Sequence, residues 1–121
     1  MTCWYQWGRS KAEMERLFAG RPDLMPEEIR YSLRDENPEL FLQSDPPKML
    51  RVIRQVKKPC LVYKILAAGR KCERREHIEQ AFKETFESIK PTDAVVVGMW
   101  DRYNDQFAEN ANYVRRFGSS V

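Results

Sequence analysis

The sequence has little histidine and little cysteine, which limits the metal and thiol chemistry open to it. One histidine, His77, and three cysteines, Cys3, Cys60 and Cys72, stand among 121 residues. The cysteines are odd in number and lack metal-ligand spacing, and a single histidine does not complete a zinc site. We therefore predict no metal centre, reduced thiols and a cytoplasmic setting.

Long apolar runs and a strong charge of either sign are also missing. No run approaches the ~20 residues of a membrane-spanning helix, and the first residues lack the layout of a secretory signal. The 21 Lys+Arg and 18 Asp+Glu leave a formal charge of +3, without a basic arm. With 42% hydrophobic and 32% charged residues, the composition is that of a globular domain, and it predicts no membrane partner.

The first part of the chain predicts short helices. Ser10 and Glu13 have the spacing of a capping box before a helix over about residues 11–18. A second helix ends at Asn37-Pro38, because proline breaks the helical hydrogen-bond pattern. We expect residues 19–45 to form an insertion of short helices and loops.

The rest of the chain alternates strand and helix patterns. A first strand lies near Trp4, and the apolar runs at 60–66 and 94–97 predict two more strands. The second run has no alternation, which is typical of a parallel strand covered on both faces. Amphipathic helices are predicted from Asp45-Pro46 for three turns, over 76–89 and over 104–117.

Several residues are expected to mark the ends of these helices or to form their inward faces. Asp45 is a capping side chain before Pro46. Asn104 is suited to cap the last helix, and Gly118 lies where a C-terminal glycine stop belongs. The predicted inward faces contain Met49, Leu50, Ile53 and Val56 in one helix, Ile78, Phe82, Phe86 and Ile89 in the next, and Phe107, Ala111 and Val114 in the last.

The order of elements predicts an α/β fold with a mostly parallel sheet. Three strands are fewer than the usual ~4–6 of a sheet, and a closed (β/α)8 barrel takes about 250 residues. We therefore interpret residues 1–121 as a single incomplete domain, the last three β/α units of such a barrel with a helical insertion after the first strand.

Ligands of parallel α/β folds bind beyond the carboxyl ends of the strands. The loop at residues 67–75 combines small residues with four cations, which suits a phosphate or is simply a solvated basic turn. Lys64 is the one charged residue of its strand, and it acts either as a Schiff-base nucleophile, as in an aldolase, or as a solvated side chain.

The aromatic residues Trp4, Tyr5 and Trp7 either stack on a flat ligand or pack in a core. No nucleic-acid-binding module accompanies them, so no nucleic acid is predicted as a partner.

Residues 60–116 resemble the C-terminal part of the aldo-keto reductases. The run 61–70 is similar to the seventh strand of that family and its following turn. The segment from Ala81 to Met99 resembles its seventh helix and eighth strand. Glu109-Asn110 falls at the spacing of the family's glutamate–asparagine pair on the last helix, and Trp4-Tyr5-Gln6 is similar to the end of its sixth strand.

This resemblance implies part of a nicotinamide dinucleotide site. Tyr63 would stack on the nicotinamide ring, the segment from Leu66 to Arg70 would line the pyrophosphate, and Glu109-Asn110 would hold the adenine. The implied cofactor-binding residues are Tyr63, Lys64, Leu66, Ala67, Gly69, Arg70, Gly98, Met99, Gln106, Glu109 and Asn110. Trp100 and Gln106 replace the basic residues that select NADP, with Arg102 nearby, so NAD and NADP both stay open.

The resemblance places no catalytic residue in this chain, because the family's catalytic tetrad comes from its first four strands. The implied function is the C-terminal part of an oxidoreductase that acts on a small carbonyl or sugar-like substrate. Two alternatives stay open. One is a barrel aldolase or lyase that uses Lys64, and the other is a non-catalytic α/β interaction module that self-associates through its sheet edges.

Overall fold

The computed structural model describes residues 2–4, 9–32 and 42–118, which form two compact units. One unit spans Trp7–Gln43, and the other combines Met1–Gln6 with Ser44–Val121. Residues 19–43 of the predicted insertion thus fall in the unit that begins at Trp7, whereas Ser44 and Asp45 belong to the other unit. The predicted end of the second helix at Asn37-Pro38 lies outside the described residues, as do Tyr5 and Trp7.

In its described residues, 9–32 and 42–43, the unit Trp7–Gln43 contains two short helices, α1 (Lys11–Leu17) and α2 (Glu27–Ser32), with a one-turn 3₁₀ helix at Pro22–Leu24 between them. Ser10 caps α1 in the predicted capping box, since its hydroxyl accepts the Glu13 N–H and Glu13 accepts the Ser10 N–H at 2.8 Å. The core of this unit is small, with Met14, Ile29 and Leu42 buried and Phe18 and Met25 packed against them.

The described part of the other unit is a three-stranded sheet with three α-helices and a one-turn 3₁₀ helix at Ala67–Gly69. Its strands are β1 (Thr2–Trp4), β2 (Leu61–Tyr63) and β3 (Ala94–Val96), and its helices are α3 (Asp45–Gln55), α4 (Arg75–Ser88) and α5 (Gln106–Phe117). The strands are parallel and lie in the order β1-β2-β3. In register, Val62 faces Val95 and Tyr63 faces Val96. The predicted parallel pairing is confirmed for these strands.

One face of the sheet carries the core. Val62 is fully buried in a cluster with Ile53 of α3, Phe82 of α4 and Tyr113 of α5. The inward positions predicted for α3 and α4 are confirmed, because Met49, Leu50, Val56, Ile78, Phe86 and Ile89 all pack against this cluster. Cys60 is buried here as well, and Thr85 satisfies its hydroxyl by donating to the Ala81 carbonyl oxygen at 2.6 Å.

The other face of the sheet is open in this unit, which differs from the expected strand covered on both sides. Leu61 on β2 is 44% exposed and Val96 on β3 is 52% exposed. Strand side chains alternate between faces, so these apolar residues lie on the side opposite Val62 and the helices.

The helix ends and strand lengths also differ from prediction. Lys64 adopts a φ of 67°, so β2 stops at Tyr63 rather than at residue 66. The cap of α5 is Asp105, whose carboxylate accepts the Ala108 N–H at 2.9 Å, and not Asn104. Asp45 is the first residue of α3, and the cap position is that of Ser44, whose side chain makes no capping hydrogen bond.

The inward face of α5 is rotated from the predicted one. Tyr113 is buried, whereas Phe107 and Val114 are 58% and 44% exposed. The ring of Tyr113 packs at 5.2 Å from that of Phe82, between centroids. Among the described helices, none is both long and apolar enough to cross a lipid bilayer.

Candidate functional site

A cleft of about 450 Å³ lies at the carboxyl ends of β2 and β3. The loop after β2 and the end of β3 meet there, as expected for neighbouring parallel strands. Its size is within the range of small-molecule sites. The lining residues are Tyr63, Lys64, Ile65, Leu66, Ala68, Gly69, Cys72, Val96, Val97 and Gly98.

The loop after β2 turns sharply because several of its residues are left-handed. After Lys64, the residues Ala67, Ala68 and Gly69 have φ values of 50°, 54° and 90°. Alanine is strained in this region by roughly 1–2 kcal/mol, and only glycine enters it freely. The turn brings small side chains to the cleft, and a larger residue at these positions would narrow it.

The backbone N–H groups of this loop donate hydrogen bonds to carbonyl oxygens of the same loop. The N–H of Ala67 donates to the Lys64 carbonyl oxygen at 3.0 Å, and those of Gly69 and Lys71 both donate to the Leu66 carbonyl oxygen, at 3.0 and 3.3 Å. The N–H groups of Arg70 and Cys72 donate to carbonyls three residues earlier as well. These five donors are already used, so a phosphate at this loop has to be held mainly by side chains.

Arg70 is also part of this internal network. Its Nη1 donates to the Ala67 carbonyl oxygen at 3.2 Å, which holds the guanidinium against its own loop. Ala67 is itself 4% exposed and does not line the cleft. Within the segment from Leu66 to Arg70 that is implied to line a pyrophosphate, Ala67 and Arg70 therefore do not line the cleft.

The structure brings five of the predicted site residues together and leaves six outside the cleft. The five are Tyr63, Lys64, Leu66, Gly69 and Gly98, and the six are Ala67, Arg70, Met99, Gln106, Glu109 and Asn110. Sequence reasoning missed Ile65, Cys72, Val96 and Val97 as lining residues. For Val96 and Val97, the sequence contained a signal that could have identified them: they lie at the end of a predicted strand. The carboxyl ends of neighbouring parallel strands lie together, and ligands bind there.

Gln106 and Glu109 have roles within the structure of α5. The Gln106 side chain accepts the Trp100 N–H at 2.8 Å. Glu109 lies 3.4 Å from the Nε of Arg75 and accepts a hydrogen bond from Tyr113 at 3.2 Å. The pKa of the Tyr113 hydroxyl is raised, mainly because the group is buried and also because the Glu109 carboxylate lies beside it. Glu109 thus joins the start of α4 to α5.

Two side chains of the cleft bear chemically reactive groups. Lys64 is half-buried and directly follows β2. Burial raises the pKa of the Cys72 thiol, so the basic neighbours of Cys72 do not convert it to a thiolate. The surroundings of Cys72 therefore give no sign of an activated thiol.

Further potential sites are few in the part of the chain that the structure describes. No group of three or more His, Cys, Asp or Glu side chains there is arranged to hold a metal ion. His77 is exposed. Comparison of the sequence with models of protein families and with curated proteins, and of the fold with solved structures, finds no match.

Proposed function

We propose that the cleft between the ends of β2 and β3 binds the nicotinamide end of a dinucleotide, as part of an aldo-keto-reductase-like barrel. The observation that carries this proposal is the cleft itself, which joins Tyr63 and Lys64 of one strand end to Gly98 of the next. An aromatic ring beside small residues suits a planar heterocycle, because it offers a stacking face while the small residues leave room.

The arrangement of the sheet supports the barrel part of the proposal. Consecutive parallel strands are neighbours, and α3, α4 and α5 contribute to one core on the Val62 face. In a closed (β/α)8 barrel the helices form the outer ring and the opposite sheet face becomes the packed interior. The exposed Leu61 and Val96 suit such an interior, which further β/α units would complete.

When bound, the dinucleotide would supply hydride chemistry for a small carbonyl or sugar-like substrate, with NAD and NADP both open. In this proposal the residues of the chain bind and orient the cofactor, and other β/α units supply the catalytic side chains. Tyr63 supports the ring, and Lys64 at the rim offers a cation to the phosphates. Because the backbone donors of loop 67–72 are largely occupied, we expect the pyrophosphate contacts to come from side chains.

The test is calorimetric titration of the full chain with nicotinamide mononucleotide, NAD and NADP. We expect Tyr63→Ala to weaken the binding of nicotinamide mononucleotide by about 3- to 10-fold, which corresponds to the loss of one aromatic stacking contact. Tyr63→Phe is the matched control, because it keeps the ring and should keep the affinity. Equal binding by wild type and Tyr63→Ala would contradict the proposal.

A second candidate function is a barrel aldolase, favoured by the position of Lys64 in the same cleft. It predicts that borohydride, added with a small aldehyde or ketone, reduces a Schiff base and leaves a stable adduct detectable by mass spectrometry. Lys64→Ala should abolish that adduct and Lys71→Ala should leave it. Absence of any adduct on the wild-type chain would exclude this function.

A further inference from the structure

The loop that follows β3 presents apolar surface to solvent. Trp100 is 62% exposed, Tyr103 is 76% exposed, and Met99 before them is 41% exposed. The two rings meet edge to face, with centroids 5.5 Å apart and planes at 72°. Aromatic residues and Met are enriched where proteins meet, because covering such side chains removes a large apolar area from water.

Arg102 lies beside both rings. Its guanidinium is 6.0 Å from the centroid of Trp100 and 5.4 Å from that of Tyr103, which is cation–π distance. Trp, Tyr and Arg are the residue types that contribute most of the binding energy in protein interfaces. The composition of this loop therefore indicates a protein partner.

The exposed rings lie in a loop that is held in place by hydrogen bonds. The Trp100 N–H donates to the side-chain oxygen of Gln106 at 2.8 Å, and the Gln106 N–H donates to Asp101 at 2.9 Å. Asp105 accepts the Ala108 N–H as the cap of α5. A preorganised loop loses little conformational entropy on binding, which favours association even through a small surface.

The charges of the loop indicate which partner fits. One cation, Arg102, stands between two anions, Asp101 and Asp105, and within the described residues none of the three forms an ion pair. An acidic partner would meet the two carboxylates, and a basic partner would meet the guanidinium. A second copy of the loop, related by a two-fold axis, instead sets the guanidinium of each copy against carboxylates of the other.

We propose that this loop, residues 99–105, is the contact surface of a symmetric dimer of the chain. The rings of Trp100 and Tyr103 from two copies pack at its centre, and each Arg102 pairs with a carboxylate of the other copy. A loop of this length offers fewer residues than the ~20–30 a side of a standard interface, so the dissociation constant should lie between about 10 μM and 1 mM. The dimer goes beyond the proposed function, because no residue of the loop lines the cleft at Tyr63.

The experiment is sedimentation equilibrium of the full chain at concentrations from about 5 μM to 2 mM, a range that brackets the expected dissociation constant. Trp100→Ala and Tyr103→Ala should each raise that constant by at least about 10-fold, because each change removes a ring from both halves of the interface. Leu24→Ala is the control, because Leu24 is 59% exposed but lies in the unit Trp7–Gln43, and it should leave the constant unchanged. A wild-type chain that stays monomeric throughout, with the loop left to an unrelated partner, would overturn the proposal.

A second set of variants tests the ion pairs between copies. Asp101→Asn/Asp105→Asn removes both charges but keeps a side-chain oxygen for each backbone N–H, so the loop should be preserved. This double variant and Arg102→Gln should each raise the dissociation constant by about 2- to 10-fold, as expected for partly exposed ion pairs. Combining all three changes should add little, because the same pairs are already lost, and fully additive effects would overturn the pairing.

Fluorescence locates the contact surface directly. In a Trp4→Phe/Trp7→Phe background, the remaining tryptophan is Trp100, and its emission should shift to shorter wavelength as the chain associates. The competing arrangement is a dimer through the open sheet face, which Leu61→Thr should weaken. Loss of the dimer in Leu61→Thr but not in Trp100→Ala, or association without any change in the emission of Trp100, would overturn the proposal.

Discussion

The Lys90 ammonium lies 2.8 Å from a carboxylate oxygen of Asp93, and the Asp93 side chain has no exposed surface. The same carboxylate accepts the N–H of Cys60, which precedes β2, at 2.8 Å. Lys90 also donates to the Ile53 carbonyl oxygen of α3 at 2.7 Å. This pair therefore links α3 to the amino-terminal ends of β2 and β3, whereas the cleft lies at their carboxyl ends.

Asp93→Asn is expected to lower the free energy of unfolding at neutral pH. The change removes the charge that faces Lys90 and weakens a buried hydrogen bond to Cys60, and such losses amount to about 1–3 kcal/mol. Chemical denaturation with urea measures the change. Glu87→Gln, on the exposed side of α4, is the control, and its effect should stay within about 0.5 kcal/mol.

The same pair predicts a dependence of stability on acid. Burial acts to raise the pKa of Asp93, but the hydrogen bonds from Lys90 and Cys60 and the charge of Lys90 outweigh it and lower the pKa. A carboxyl group with a lowered folded-state pKa contributes stability above its unfolded pKa and loses it as the pH falls. The loss should begin below about pH 4. An equally steep acid loss in Asp93→Asn would show that another group is responsible.

Asp105→Ala is expected to destabilise α5 more than Asn104→Ala does. Asp105 accepts the Ala108 N–H as the helix cap, and loss of such a cap lowers stability by about 0.5–2 kcal/mol. Asn104 makes one exposed side-chain contact, to Glu109 at 3.2 Å. Thermal unfolding of the two variants gives the comparison, and a larger drop in Tm for Asn104→Ala would restore Asn104 as the cap.

Ala68→Gly is expected to stabilise the protein, by up to about 1 kcal/mol. The φ of 54° at Ala68 strains an alanine and suits a glycine, although glycine has more freedom in the unfolded chain. Ala81→Gly is the matched control, because Ala81 is helical and buried, and there the same substitution should destabilise by at least about 1 kcal/mol. Two changes of the same sign would contradict the strained conformation.

Much of the local structure follows from the sequence. The capping box at Ser10 and Glu13 and the apolar spacing in α3 and α4 predicted helices that the structure contains. These signals lie within a few residues of one another, so the chain carries them whatever its tertiary contacts. The two runs around Val62 and Val95 likewise predicted strands that pair in parallel.

Gly118 lies at the predicted end of α5, but the reason that glycine is needed there differs from the predicted one. It ends α5, as predicted, but its φ is −85°, so no left-handed turn requires glycine there. A Cβ at this position would come within 2.7 Å of the Val114 carbonyl oxygen and 3.3 Å of the Phe86 ring. The requirement is one of space, first against the Val114 carbonyl oxygen of α5 itself and then against the Phe86 ring of α4, and only the second neighbour depends on the packed structure.

The sequence by itself determined which segments are helices and strands. It also placed the candidate binding residues at the ends of the strands. Tertiary structure alone decided which of those residues meet: Tyr63 and Gly98 share a cleft, whereas Arg70 and Glu109 are engaged elsewhere. It also decided that one sheet face stays open in this unit. An apolar run such as residues 94–97 has no alternation to mark the buried side, and contacts between distant segments have no local signal in the chain.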